Sequence, residues 1–254
     1  PRFSTDASGM RSSQLIFNSL VRGGPDLKVI GDAAASWSYK DLTYTFLLRQ
    51  GLTFSNGNPV SNQDILFSFG EFRSEKSPFS SALKAIKEVT VTTNSSGQME
   101  VKLTLSAFSA TLLIDLCVVQ ILPQSVVIEK AEEFGKAPIG SGSYRLESMN
   151  ASEIRLLAIK SHPIKSPKIP NLVFKIIKDE NTRYLKLLKG EVDLAQSELP
   201  LMKIASLEKE NKFTVHQFPG LSMNYLLINM KDPLLSQLKV RQALAHAIHR
   251  EEIV

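Results

Sequence analysis

The chain has 254 residues, 43% hydrophobic and 22% charged, with 30 basic side chains against 25 acidic ones and a net charge of +5. It is long enough to bury the core of one or two domains, and no run reaches the ~18 apolar residues of a membrane helix. The basic residues are scattered without a Lys/Arg block, which fits a solvated surface better than a nucleic-acid partner, and a single cysteine excludes an internal disulfide.

In chain order, Leu42, Tyr44, Phe46 and Leu48 alternate with Thr43, Thr45, Leu47 and Arg49, which predicts a half-buried strand. It ends at Gly51, and the stretch SNGNP supplies an Asn56-Gly57 turn. Ser61 and Asp64 then form an S-x-x-D capping box ahead of Ile65, Leu66, Phe69 and Phe72, a helix with one apolar face. Val89 to Val91 and Val101, Leu103 and Leu105 flank NSSGQ as a hairpin. The most apolar window, Leu112 to Leu122, is broken by Asp115 and Gln120 and holds Cys117 as a small buried hydrophobe. Tyr144 to Met149 and Ile154 to Ile159 pair around NAS, and Leu172 to Ile177 reads as a buried strand. Asp179 or Asn181 caps a helix running through Lys189, Gly190 is its left-handed stop, and a short strand follows. Phe213 to Phe218 and Tyr225 to Asn229 read as further strands. Val240, Ala243, Leu244, Ala247 and Ile248 make a helical stripe toward the chain end. Strands and helices intermix without strict βαβ alternation, so the expected class is α/β with a mixed sheet.

Chemistry is harder to find. His246 and His249 fall three apart on the last predicted helix near Glu252, but there is no HExxH and no third ligand at a strong spacing, so no metal is expected. GKAPIGSGSY (Gly135 to Tyr144) lacks the Lys-Ser/Thr ending of a phosphate loop and reads as a turn before a strand. Gly140-Ser-Gly-Ser143 does not fit the G-x-S-x-G nucleophile elbow. Asn94-Ser-Ser96 and Asn150-Ala-Ser152 match the glycosylation sequon, yet both sit in predicted hairpin turns, where Asn is favoured in any case. No nucleophile is paired with a base, which argues against an enzyme and for no cofactor.

Four segments resemble, in order, the extracellular solute-binding proteins of family 5, the peptide/nickel-type capture subunits of ABC importers. They are LTYTFLLRQGLTFSNGNPVSNQDILFSF (Leu42 to Phe69), APIGSGSYRLES (Ala137 to Ser148), VFKIIKDENTRYLKLLKGEVDL (Val173 to Leu194) and PGLSMNYLLINMKDPLLSQLKVRQALAHAIHREEIV (Pro219 to Val254). Three features depart from the family pattern. KSHPIKSPKIP (Lys160 to Pro170) keeps Pro163 but lacks the usual Tyr-Trp, His249 replaces the usual Asp, and the chain is about half the family's length.

The resemblance implies a type II periplasmic-binding-protein-like fold, a mixed sheet with an accessory α+β lobe, and a second ligand lobe that is mostly missing. Residues 1–20 with 132–220 would form a large ligand lobe, 21–131 the accessory lobe, and 221–254 the start of the second ligand lobe. It implies a ligand, an oligopeptide foremost, held in a cleft between lobes by backbone groups, a few side chains and trapped water. The ligand-binding positions it points to are Thr5, Asp6, Ala7, Gln196, Ser197, Gly220, Leu221 and Ser222. It further implies a membrane-embedded ABC permease as partner, no cofactor, and a periplasmic or extracellular location, with or without a lipid anchor. The sequence opens on Pro1 without a basic–apolar–small leader, so an export signal is expected to have been removed or never encoded here. Self-association through an exposed lobe surface is a further expectation. A nickel chelate or other small solute, a non-transport scaffold or chaperone-like module on the same fold, and a hydrolase grafted onto it stand as alternatives.

Overall fold

The structure is a computed structural model and describes residues 6–24, 26, 28–196, 199–210, 212–218 and 225–249. It divides into a unit of Pro1–Leu185 and a unit of Lys186–Val254, each taken by itself below.

The first unit opens on α1 (Ala7–Ile16). Asp6 caps it, its carboxylate accepting the Gly9 N–H at 2.8 Å. Ser12 and Ser13 are buried on this helix and donate their hydroxyls back to the carbonyls of Ser8 and Met10, so neither is left unsatisfied. A small hairpin follows from β1 (Val21–Gly23) and β2 (Val29–Gly31).

The main sheet takes β3 (Ala34–Lys40) and β4 (Thr43–Leu48). Beyond α2 (Asn62–Arg73) it is completed by β5 (Ile86–Thr93) and β6 (Met99–Leu105), in the order β3-β4-β6-β5. The predicted alternation on β4 holds: Tyr44, Phe46 and Leu48 are buried, and Phe46 lies opposite Val101 of β6. The capping box at Ser61 and Asp64 is complete in both directions. Ile65, Phe69 and Phe72 enter the core behind it, whereas Leu66 is 41% exposed because the apolar face is narrower than its residue types suggest. At the β5–β6 turn, the Asn94 carboxamide accepts from the N–H groups of Ser96 and Gln98, and Gly97 takes a φ of 77°. Asn150 does the same for Ser152 and Glu153 at the next hairpin, so both sequon asparagines act as turn residues.

Two short helices, α3 (Leu112–Asp115) and α4 (Gln124–Lys130), bring Leu112 and Val127 into the same core, and Leu116 joins them from the 3-10 turn that follows α3. Cys117 between them is only partly buried. The last sheet has the order β7 (Tyr144–Met149), β8 (Glu153–Ala158), β9 (Asn171–Lys175). In place of the expected buried strand, β9 is an edge with one neighbour: Leu172 and Phe174 pack inward while Val173 is 42% exposed. Every ladder among the described residues is antiparallel.

The helix read across 179–189 is α5 (Glu180–Leu188), with Asp179 accepting the Thr182 N–H at 2.7 Å and Gly190 at a φ of 70°. The second unit adds α6 (Leu201–Lys209) and α7 (Leu238–Ala247). The strands read after Gly190, at 213–218 and at 225–229 are not formed among the described residues. An extended segment needs a neighbour for its backbone groups, and Phe218, Tyr225 and Leu227 are each more than 75% exposed. α7 has no buried residue, and it ends before His249, so His246 and His249 do not share a helical face.

Candidate functional site

Of the eight positions implied by the resemblance, the structure describes three. Asp6 is the N-cap of α1 and Ala7 its first residue, so these two are adjacent where extended chain turns into helix. Gln196 is exposed in the second unit, outside any helix or strand. Thr5, Ser197, Gly220, Leu221 and Ser222 lie outside the described residues.

What holds Asp6 and Ala7 in place is the seat beneath α1. The helix ends on Ile16 against the backbone of Gly140 to Gly142, where the Gly142 N–H donates to the Ile16 carbonyl at 2.7 Å. A Cβ on Gly140 would stand 2.0 Å from that oxygen, and one on Gly142 would stand 2.3 Å from the Leu15 oxygen. The glycines of IGSGSY are there so that one backbone can lie directly on another.

Around this seat runs a buried polar cluster. The Asp32 carboxylate accepts from the Asn18 side-chain N–H at 3.0 Å and the Ser19 backbone N–H at 2.9 Å. Burial pushes the Asp32 carboxyl above the ordinary aspartate value; its bonds from Ser19 and Asn18, and the nearby charge of Arg22, pull the other way. Gln120 donates to the Ser13 hydroxyl at 2.9 Å, and the Ser19 hydroxyl donates to the Cys117 carbonyl at 3.1 Å. Asn18 Oδ1 and Gln120 Oε1 have no hydrogen-bond partner among the described residues, a cost the fold carries to keep this cluster inside. The Cys117 thiol is raised above its ordinary value, by burial first and by Asp32 and Asp115 second, which favours its protonated form.

His162, in the segment that departs from the family pattern, closes the frame. Its Nδ1 accepts the N–H groups of Ile164 and Lys165 at 3.3 and 3.2 Å, so the ring proton belongs on Nε2, which donates to the Ser141 carbonyl at 2.9 Å. Both ring nitrogens are engaged by backbone, which fixes the ring in place. The arrangement positions a helix terminus and its flanking loop.

Asn18, Asp32, Gln120 and His162 escaped the motif search because no motif contains them. A usable signal was present nonetheless: Asn18 interrupts LIFNSLV, and Gln120 interrupts CVVQILP. A polar side chain inside an apolar run is buried with it and needs a partner.

Residues 28–254 match the family described as bacterial extracellular solute-binding proteins, family 5 Middle. The dipeptide-binding protein of Escherichia coli K12 is 27% identical in an alignment covering 96% of this chain and 50% of that protein. Among solved structures, the PBP/SBP MoaA of A. tumefaciens R10, in complex with mannopinic acid, gives a TM-score of 0.86 at 26% identity, over 100% of this chain and 53% of its own. NikZ from Campylobacter jejuni, in complex with Ni(L-His), gives 0.84 at 26% identity over 94% and 49%. The chain spans about half the length of the curated relatives it matches. The fold is that of these binding proteins, of mixed α/β content as expected, while the mixed sheet read from the sequence is not formed among the described residues, where every ladder is antiparallel. With nearly all of its residues matched to the family and its fold shared along the whole chain, this protein belongs to the bacterial extracellular solute-binding proteins of family 5.

Proposed function

We propose that the chain supplies framework and part of the cleft of the solute-capturing subunit of an ABC importer, with a short peptide as solute. The observation that carries this reading is the continuous likeness to a dipeptide-binding protein over almost the whole chain. In it, residues 1–20 with 132–220 form one ligand lobe, 21–131 an accessory lobe, and 221–254 open the second ligand lobe. Asp6 and Ala7 face the solute from the start of α1, and Gln196, Ser197 and residues 220–222 supply backbone groups with which an extended peptide pairs as an added strand. The solute is enclosed, carried and released unchanged to a membrane-embedded permease on the periplasmic or outer side of the membrane.

A second solute class has specific support. Two solved neighbours hold a nickel–histidine chelate and mannopinic acid, so the same framework accommodates small chelates and polar acids. Native mass spectrometry of the protein, purified from its natural source without refolding, separates the readings. A ladder of short peptide masses supports the peptide; one small mass or a nickel adduct moves the solute to the second class. An empty protein that also ignores a peptide library sinks solute capture and leaves a scaffold role.

A further inference from the structure

We propose a second small-molecule site, separate from the solute cleft: a groove between the turn after β4, the start of α2 and the tip of the β5–β6 hairpin, which binds a polar molecule by its carboxylate. The groove has a volume of about 650 Å³, within the roughly 300–1,000 Å³ of small-molecule sites. Buried Leu52 and Val60, with Met99, make it apolar at the base. Its hydrogen-bonding side chains include Arg49, Gln50, Asn62, Gln63, Thr93 and Gln98. No carboxylate lines it among the described residues, so its formal charge is the single positive one of Arg49.

The walls are cross-linked before any ligand arrives. Gln98 donates its amide N–H to the Leu48 carbonyl at 2.8 Å and Gln50 to the Ser96 carbonyl at 3.3 Å, tying the turn to the hairpin. Asn62 donates to the Thr93 hydroxyl at 3.2 Å, tying α2 to the same hairpin. A primary amide has two N–H groups and one of each is engaged here, so Gln50 and Gln98 each keep an oxygen and a second N–H for a ligand. Arg49 is fixed along one edge, its Nε donating to the Asp32 carbonyl at 2.9 Å. The remaining Nη fork has no ion-pair partner among the described residues. A held guanidinium with an open fork matches a carboxylate in two parallel bonds.

The ligand chemistry is therefore a carboxylate next to hydroxyl or amide groups, on a body small enough to cover Leu52 and Val60. A sugar acid and an acylated short peptide both have it. None of the residues assigned to the solute cleft lines the groove, so this site stands or falls independently of the transport reading.

The test is a titration of the full ¹⁵N-labelled chain, followed by amide chemical shifts, with two probes: digalacturonate and N-acetyl-alanyl-alanine. Shifts at Gly51, Gln63 and Gly97 are expected with at least one probe, and which probe gives them identifies the source of the carboxylate. The uncharged methyl ester of that probe, and the Arg49→Gln variant, are each expected to weaken binding about tenfold. Gln63→Ala removes a side chain that bonds to no other group among the described residues, so it should leave the melting temperature unchanged and weaken binding a few-fold; it decides the matter if Arg49→Gln disturbs the fold. No shift with either probe, shifts located elsewhere, or ester and variants binding as tightly as their parents would overturn the proposal.

Discussion

Replacing Gly140 by alanine tests the seat of α1 directly. The added methyl would stand 2.0 Å from the Ile16 oxygen, 2.7 Å from its carbonyl carbon and 2.8 Å from Phe17 Cδ1. Comfortable heavy-atom separations are about 3.5 Å, so roughly 1.5 Å must open between two backbones. No side-chain rotation can provide it. Opening the gap stretches the bond from the Gly142 N–H to Ile16 and strains the one from the Ser55 N–H to the Gly140 carbonyl, now 2.7 and 2.8 Å. Overpacking of about 1–3 kcal/mol and the loss of one buried hydrogen bond worth about 1 kcal/mol sum to about 3 kcal/mol. In a domain of this size that lowers the melting temperature by about 6–12 °C. Gly70 is the control: it lies inside α2, and a methyl added there would have nothing within 4 Å. Gly70→Ala should raise stability by ~1 kcal/mol through helix propensity. Thermal unfolding followed by circular dichroism reads both. If Gly140→Ala melts within a degree or two of its parent, α1 does not rest on this backbone and the positioning of Asp6 and Ala7 needs another cause.

Ser61→Ala should cost about 1 kcal/mol in urea unfolding by removing the helix cap; Asp64→Ala should cost more, because its carboxylate also accepts the Gln124 N–H at 2.8 Å. Asp32 gives a pH dependence whose sign follows from burial. With its folded value raised, the native chain holds a proton that the unfolded chain has already released, so its contribution to stability is fullest below the ordinary aspartate value and is lost as pH rises through the raised one. Stability measured across that window should fall with pH in the parent and flatten in Asp32→Asn; an equal slope in both assigns it to other groups. Hydrogen exchange should separate the two units. Among the described residues of the second, Leu187 and Leu207 are the buried ones, so its amides should exchange with little protection while those of β4 and β6 persist; equal protection in both would contradict the burial pattern.

Local chemistry explains which parts of the fold could be seen in advance. The Ser61–Asp64 box, the Gly190 stop and the asparagine turns at 94 and 150 are each fixed by groups within five residues of one another, so the sequence order carries the whole interaction. β4 was legible for a related reason: one face meets the core and the other does not, and the alternation records it. The seat of α1 joins Ile16 to Gly142, and the polar cluster joins Asn18 to Asp32 and Ser13 to Gln120. No spacing rule reaches across such separations. Gly140-Ser-Gly142 could be recognised as a turn, but what the turn carries depends on a helix more than a hundred residues earlier.

The second unit shows the opposite failure, in which a strong pattern did not produce the expected structure. Val240, Ala243, Leu244 and Ala247 keep a regular helical period, and α7 forms, yet it buries none of them among the described residues. Phe213 to Phe218 and Tyr225 to Asn229 have the residue types of strands and no ladder. An apolar face is a statement about a surface that meets it, whereas a helix needs only its own backbone to satisfy its hydrogen bonds. The helix in this unit therefore appears where the pattern predicts it and the strands do not, because strands depend on a neighbour for their hydrogen bonds as well as their packing. The same distinction separates α1 from its seat: the helix is local, and the function proposed for its first residues depends on what lies beneath its last.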